Sequence, residues 1–425
     1  MNLLRGLLGI LGFCLLAWLL SSDRRRIPWR AVIGGIGLQL ALAALILSTA
    51  GGRGVFEAAA AAVGRLIAMA EPGAKLVFGP LADPAKLGEV FGPESAFVFA
   101  FAGTGLAAIL FFSALMAVLY HLGVMQVIVW VLARLMALVM GVSGAEATAM
   151  AANVFIGQTE APLVVRPYLE RMTQSELMAL MTGGFATIAG SVLAVYMGLL
   201  GPEVGPHLLT ASVLSAPAAL LMAKLMLPER ESSTTAGRVE LRIERRAGNL
   251  IEAAAQGTTE GLALWLNVIA MLIAFMGLVA LVDGLLGALS GNSWITVELS
   301  LARLFGWLFA PLAWLIGVQG WHDCQLFGAL LGTKVSVNEF VAFSQLHDLQ
   351  AAAPGAARFL DPRSEILAAY ALCGFANFAS IGIQIGGIGA LVPARRAELA
   401  RLGLRAMAGG ALASWMTAAV AGIFV

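Results

Sequence analysis

GQTEAPLVVRP, Gly157 to Pro167, sets a glutamine, a threonine and a glutamate side by side in an otherwise apolar run. The apolar pieces around it are short: MAANVFIG leads in from Met150, and APLVVRPYL leads out to Leu169. At 1.5 Å per residue neither piece crosses a hydrocarbon core about 30 Å thick. Two half-length helices meeting at a polar tip can instead enter and leave on one side, and Gly157 and Pro162 suit such a tip. Unwound backbone at membrane depth is tolerated only where protein or a watery cavity surrounds it. The stretch therefore predicts a re-entrant hairpin with Gln158, Thr159 and Glu160 lining a cavity. An ionisable side chain in such a place points to function. The alternative is a surface loop in which Glu160 pairs with Arg166 or Arg171.

The rest of the chain supports a membrane setting. Its 425 residues are 60% hydrophobic and 12% charged, with a mean hydropathy of +0.89. A soluble domain cannot bury that much apolar surface, so lipid must cover much of it. A net charge of +1 gives no reason to expect nucleic acid as a partner. Cys14, Cys324 and Cys373 lie far apart and read as small hydrophobes.

Eight stretches qualify as spans: Leu3–Leu20, Ala31–Leu47, Ala96–Tyr120, Leu177–Leu200, Leu208–Leu227, Leu262–Leu286, Ile366–Val392 and Ala406–Val425. No cleavage site follows the first, so it is read as retained. Arginines gather in the loops after spans one, five and seven, at Arg24 to Arg26 and Arg30, at Arg230, Arg238, Arg242, Arg245 and Arg246, and at Arg395, Arg396 and Arg401. All three loops then share one side, the cytoplasm by the positive-inside rule, and both termini face outward. In a bacterium that places the chain in the inner membrane with periplasmic termini. Val124–Val139 and Leu301–Ile316, each with tryptophan and a lone arginine, are expected to lie along the interface rather than cross it.

A second hairpin is expected at GTKVSVNEFVAF, Gly332 to Phe343, again with a glutamate, Glu339, between short apolar pieces. The span after each hairpin carries an echo: GFATIAG at Gly184–Gly190 and GFANFAS at Gly374–Ser380, each preceded by a Ser-Glu pair. The first hairpin follows an odd number of spans and the second an even number, so the repeats are inverted. Inverted repeats with broken helices and a midplane site mark secondary transporters. The breaks are expected in spans four and seven, and the site among Gln158, Thr159, Glu160, Thr187, Glu339, Asn377 and Ser380.

NVFIGQTEAPLVVRPYL, GTKVSVNEFVAF and CGFANFASIGIQIGGIGA resemble the signature blocks of concentrative nucleoside transporters, and the length and span count resemble the bacterial branch. The resemblance covers nearly the whole chain. It implies an all-α membrane fold of eight spans and two re-entrant hairpins in inverted repeats, assembled as a homotrimer. Spans one, two, three and six would form the scaffold and the remainder a mobile transport domain. Residues 1–120 would then carry scaffold spans one to three and 121–228 the first transport repeat. Residues 229–290 would carry the linker and span six, and 291–425 the second repeat. The substrate implied is a nucleoside, taken to be a pyrimidine nucleoside such as uridine. Gln158, Thr159 and Glu160 would face the base, Glu339, Asn377 and Ser380 would hold the ribose, and Phe375 would supply an apolar wall. An amide can donate and accept at a base edge, and a carboxylate accepts two hydroxyl protons, so the chemistry is consistent. The coupling ion implied is Na+, held by the Asn153 side chain, the Ile156 and Ile188 carbonyls and the Thr187 hydroxyl, where the family pattern has serine. These are hard oxygen donors suited to an alkali ion. H+ coupling through Glu160 or Glu339 stays open as the alternative, as does another small polar neutral solute.

Other readings fit less well. A membrane-embedded enzyme should show a nucleophile or metal constellation, and the consecutive His322, Asp323 and Cys324 cannot readily converge on one ion. An anion carrier would place arginine near both tips. Lys334, beside the second tip, could snorkel, pair with an acid or hold the tip closed.

Overall fold

A computed structural model of the chain describes residues 2–92, 106–237, 247–290, 299–352 and 356–425, all of them helical or irregular with no strand among them. The first half of the predicted third span, 96–105, and the basic linker positions Arg238, Arg242, Arg245 and Arg246 lie outside the described residues.

Two helices open the chain, α1 (Asn2–Leu19) and α2 (Trp29–Ala43), and α2 runs on through a π-helical turn, Ala44–Ser48. Three helices that the sequence reading did not anticipate follow: α3 (Ala50–Ala68), α4 (Glu71–Phe78) and α5 (Pro84–Phe91). Their local logic is ordinary. The Thr49 hydroxyl caps α3, and Asp83 caps α5 with Pro84 in the first turn. Then α6 (Ala108–His121) meets α7 (Val124–Met140) at a bend of 76°. Much later α14 (Leu301–Ile316) meets α15 (Trp321–Ser336) at 109°. Such angles turn α7 and α14 out of line with their neighbours, as helices lying along an interface require. On α7 the Arg134 guanidinium sits 5.5 Å from the Trp130 ring centre.

The first hairpin is α8 (Gly144–Asn153), a polar turn, and the single turn α9 (Ala161–Val164). Ser143 and Glu146 form a capping box that starts α8, and Thr173 and Glu176 form another that starts α10 (Gln174–Ala186). The fourth span does break where expected. α10 stops at Ala186, Thr187 is extended (φ −121°, ψ 164°), and α11 (Gly190–Leu200) resumes. α12 (Gly205–Met226) is the fifth span and α13 (Leu250–Leu289) the sixth. The second hairpin pairs α15 with α16 (Glu339–Ala351). The seventh span is α17 (Pro362–Leu372) and α18 (Phe378–Leu391), parted by Cys373 to Asn377. The last helix, α19 (Arg396–Ala421), begins ten residues before the expected span, so Arg396 and Arg401 lie on its first turns and not in a loop.

α10, α12 and α19 form the packed centre. In the fourth and fifth spans 83% and 89% of the apolar window is buried, against 0% for α13. α13 thus stands on the outside, held to α6 by a close approach. A Cβ on Gly257 would meet the Ser113 carbonyl at 2.5 Å, and one on Gly261 the Ser113 Cβ at 2.9 Å. The small-xxx-small spacing lets two backbones touch.

At the end of the bundle beside the linker a polar cluster ties the first repeat together. The buried Lys224 on α12 pairs with Glu146 of α8 at 2.7 Å and Glu229 of the linker at 3.3 Å, and donates to Ser175 of α10 at 2.9 Å. Thr173 Oγ1 donates to Glu229 at 2.8 Å, and Ser233 to Glu176 at 2.5 Å. The part of the linker that is described folds back over α8, α10 and α12 instead of running free.

Candidate functional site

The two broken spans cross at the centre of the molecule. Gly374 takes φ +129°, and a Cβ there would lie 2.8 Å from the Phe185 carbonyl, so both the backbone sign and the space require glycine. Around this crossing the hairpin tips arrive from both repeats.

Glu339 opens α16, where a carboxylate is favoured by the exposed N–H groups of a helix start. It is 7% exposed. Its two oxygens accept from Asn377 Nδ2 at 2.9 Å and from the Tyr196 hydroxyl at 3.2 Å. Asn377 also caps α18, its Oδ1 accepting from the Ser380 N–H at 2.8 Å. One residue therefore ends the break and orients the carboxylate. Ser380 Oγ accepts from Gln158 Nε2 at 3.3 Å, which joins the first hairpin tip to the second broken span. Gln158, Glu339, Asn377 and Ser380 are all buried. Phe375 is half-buried within the break, and Thr159 is exposed and lies against Gly387 of α18, where a Cβ would meet its Cγ2 at 3.3 Å.

The sequence reading missed two participants. Gln384, fully buried on α18, donates to Gln158 Oε1 and to the Met181 carbonyl, both at 3.1 Å. Tyr196, fully buried on α11, stacks on Phe343 with ring centres 4.2 Å apart while its hydroxyl holds Glu339. Gly184 makes room for the glutamine pair, since a Cβ there would lie 2.7 Å from Gln384 Nε2. Lys334 is fully buried and makes no ion pair among the described residues: its Nζ donates to the Ala371 carbonyl and to Ser414 Oγ, each at 2.8 Å.

A second group of oxygens gathers where α8 and α10 end. Thr187 Oγ1 lies 2.9 Å from the Asn153 carbonyl and 3.0 Å from the Gly183 carbonyl. Asn153 Nδ2 donates to Ala149 at 3.1 Å, while its Oδ1 is buried without a hydrogen-bond partner. The Gly190 N–H donates to the Phe155 carbonyl at 2.9 Å, drawing the unwound segments with Ile156 and Ile188 alongside each other. A buried Asn153 side-chain oxygen without a partner, with the Thr187 hydroxyl bound to the backbone carbonyl of the same residue, suits a hard cation.

A cavity of about 440 Å³ adjoins the first tip, with Glu160, Phe155 and Ser191 on one wall and Met116, Tyr120 and Gln256 on the other. It lies between the α6–α13 pair and the first repeat, with Ala247 among its lining residues. It does not reach Glu339 or Asn377. The residues of the motif WHDC do not converge: Asp323 accepts from the Leu360 and Asp361 N–H groups and from Ser364 Oγ, while His322 turns to the Arg358 carbonyl.

This arrangement of crossed broken spans and paired hairpins is that of a membrane transporter, and the comparisons agree. Solved structures of a protein called CNTnw superpose over the full chain at 42% identity, covering 98% of that protein. The TM-score is 0.91 for an inward-facing substrate-bound state and 0.92 for a double variant in an outward-facing state. The nucleoside permease NupC of Helicobacter pylori is 38% identical over 97% of this chain and 95% of its own length. Mouse solute carrier family 28 member 3 is 41% identical over 98% of this chain, which spans 58% of that longer protein. Models of the Na+ dependent nucleoside transporter C-terminus and N-terminus match residues 207–422 and 8–81, and a nucleoside recognition (Gate) model matches 105–203. The chain belongs to the Na+ dependent nucleoside transporter family, a family of transporters and not of enzymes.

Proposed function

We propose that the protein imports nucleosides, with uridine and other pyrimidine nucleosides as the working substrates, by symport with sodium through alternating access. The observation that carries this reading is the buried set joining both repeats, in which Gln158 meets Ser380 and Glu339 meets Asn377. A nucleoside entering this set replaces internal hydrogen bonds with its own. The ribose hydroxyls donate to Glu339, already oriented by Tyr196 and Asn377, and the base edge meets Gln158, Thr159 and Glu160. Phe375 lends an apolar face. These donors and acceptors are neutral amides and hydroxyls apart from the glutamates, which fits a neutral, hydroxyl-rich solute.

Asn153 Oδ1, the Thr187 hydroxyl and the Ile156 and Ile188 carbonyls would take the sodium ion. The unpartnered Asn153 oxygen supports that assignment. Because the ion and Gln158 share one hairpin, ion binding and base binding order the same tip. Sodium should then raise nucleoside affinity, and nucleoside should raise sodium affinity by the same factor. The hairpins with spans four, five, seven and eight would move past a scaffold of spans one, two, three and six, the latter assembling three chains. The loops bearing Arg24 and Arg230 would face the cytoplasm of a bacterial cell and the termini the periplasm.

The test is uptake of radiolabelled uridine into proteoliposomes under an inward sodium gradient, a proton gradient, or neither. Uptake with sodium alone is the expected result. Uptake driven by protons alone would keep the nucleoside and discard the sodium site. The absence of uridine uptake under every gradient would discard the pyrimidine substrate.

A further inference from the structure

Each repeat sets two helix C-termini against each other. In the first, α8 ends at Asn153 and α10 at Ala186, and Thr187 bridges to the Asn153 carbonyl. In the second, α15 ends at Ser336 and α17 at Leu372, and Lys334 bridges to the Ala371 carbonyl. A helix C-terminus carries about −0.5 of an elementary charge. Each meeting therefore calls for roughly one positive charge.

The two repeats answer that demand differently. The last turns of α8 and α10 hold no basic side chain, and a buried oxygen of Asn153 is left without a partner. The last turn of α15 holds Lys334, which is 0% exposed. Its hydrogen bonds go to the neutral oxygens of Ala371 and Ser414, and it makes no ion pair among the described residues. Burying an ammonium is costly unless something compensates it. Here the compensation comes from the Ala371 carbonyl at the end of α17, the Ser414 hydroxyl and, at longer range, the Glu339 carboxylate, oxygen-rich surroundings of the kind that the first repeat offers to an ion.

We propose that the Lys334 ammonium is the second repeat's built-in cation. It fills the place that a coupling ion takes in the first repeat, and so limits the protein to one free cation per nucleoside. The inference rests on the sodium-coupled reading above. It adds that the stoichiometry is set by one side chain: without the ammonium, the Ala371 and Ser414 oxygens become a second site for a small cation.

The experiment measures uridine binding to the purified protein by titration calorimetry over a series of sodium concentrations, with choline as the replacement. The parent and Lys334→Arg should bind with first-order dependence on sodium, and Lys334→Asn with second-order dependence and weaker binding at low sodium. First-order dependence in Lys334→Asn, whatever its affinity, overturns the proposal. Where Lys334→Asn is too unstable in choline to titrate, thermal unfolding takes over. Stabilisation by sodium or by ethylammonium, beyond that given to the parent, supports a vacated cation site. A variant that neither cation rescues overturns it. Failure of the sodium reading itself shows separately, as a parent whose uridine binding ignores sodium.

Discussion

At the scale of single residues the site depends on which atoms donate and which accept. Glu339 receives hydrogen bonds from Tyr196 and Asn377, so both oxygens are already turned toward donors. Glu339→Gln places an N–H against one of those donors and removes the charge. A hydrogen bond to a charged group contributes about 1.5–3 kcal/mol, so uridine affinity should fall by about ten- to a hundredfold. Calorimetry on the variant checks this, with its unfolding temperature as a control for folding, and unchanged affinity would remove Glu339 from the ribose site. Thr187 offers a second test. Thr187→Ser keeps the hydroxyl and should keep the sodium dependence of uptake, whereas Thr187→Val should raise the half-saturating sodium concentration about tenfold, the loss of one ligand of order 1.4 kcal/mol. Equal sodium dependence in all three proteins would clear Thr187 of ion binding. Glu339 was legible because it stands in a polar cluster between short apolar pieces, and Thr187 because it lies in the GFATIAG stretch that GFANFAS echoes. Gln384 and Tyr196 were not, since a lone glutamine among glycines and a lone tyrosine in a span look like packing. Nor was the environment of Lys334, because its partners Ala371 and Ser414 lie on helices far along the chain.

At the scale of elements, breaks and caps carry the architecture. The echo of GFATIAG in GFANFAS gave both interrupted spans, and the structure parts them at Thr187 and at Cys373 to Asn377. A break at matched positions in two spans leaves a sequence trace because each sets one polar side chain in the interruption, Thr187 bonding the Gly183 carbonyl in the first and Asn377 capping α18 in the second. Helices α3 to α5 left a weaker one: they are rich in alanine and punctuated by glycine and proline, so no apolar run drew attention to them. The first repeat is further held by Lys224, which joins α12 to α8, α10 and the linker. Lys224→Met leaves Glu146 buried without its partner, and breaking a buried pair in this way costs about 3–5 kcal/mol. The variant should unfold at a markedly lower temperature, and adding Glu146→Gln should restore most of the loss. A double variant no more stable than the single one would show that the cluster acts through Glu229 or Ser175 instead.

At the scale of the whole molecule, buried and exposed helices divide the labour. α10, α12 and α19 are enclosed by protein, whereas α13 presents Leu266, Ile273, Leu281 and Leu285 outward, each more than half exposed. Such a face meets lipid or another copy of the chain. If α13 belongs to the proposed scaffold, the detergent-solubilised protein should have the mass of three chains by light scattering corrected for detergent. Substituting Ile273→Arg and Leu281→Arg on this face should reduce that mass. A single-chain mass for the parent would overturn the trimer. The sequence foretold the exposure poorly, because an apolar helix inside a protein and one against lipid have the same composition.

The length of α13 has a use outside transport. Its 40 residues rise about 60 Å, twice the thickness of a hydrocarbon core of about 30 Å. Unless it tilts steeply, several turns must stand clear of the lipid, and Ile251 near its start is 83% exposed. An antibody fragment raised against those turns would grip what the proposed transport cycle leaves stationary in each subunit. It would serve as a rigid fiducial for electron cryomicroscopy, giving a small, featureless particle a landmark without favouring either of its working states.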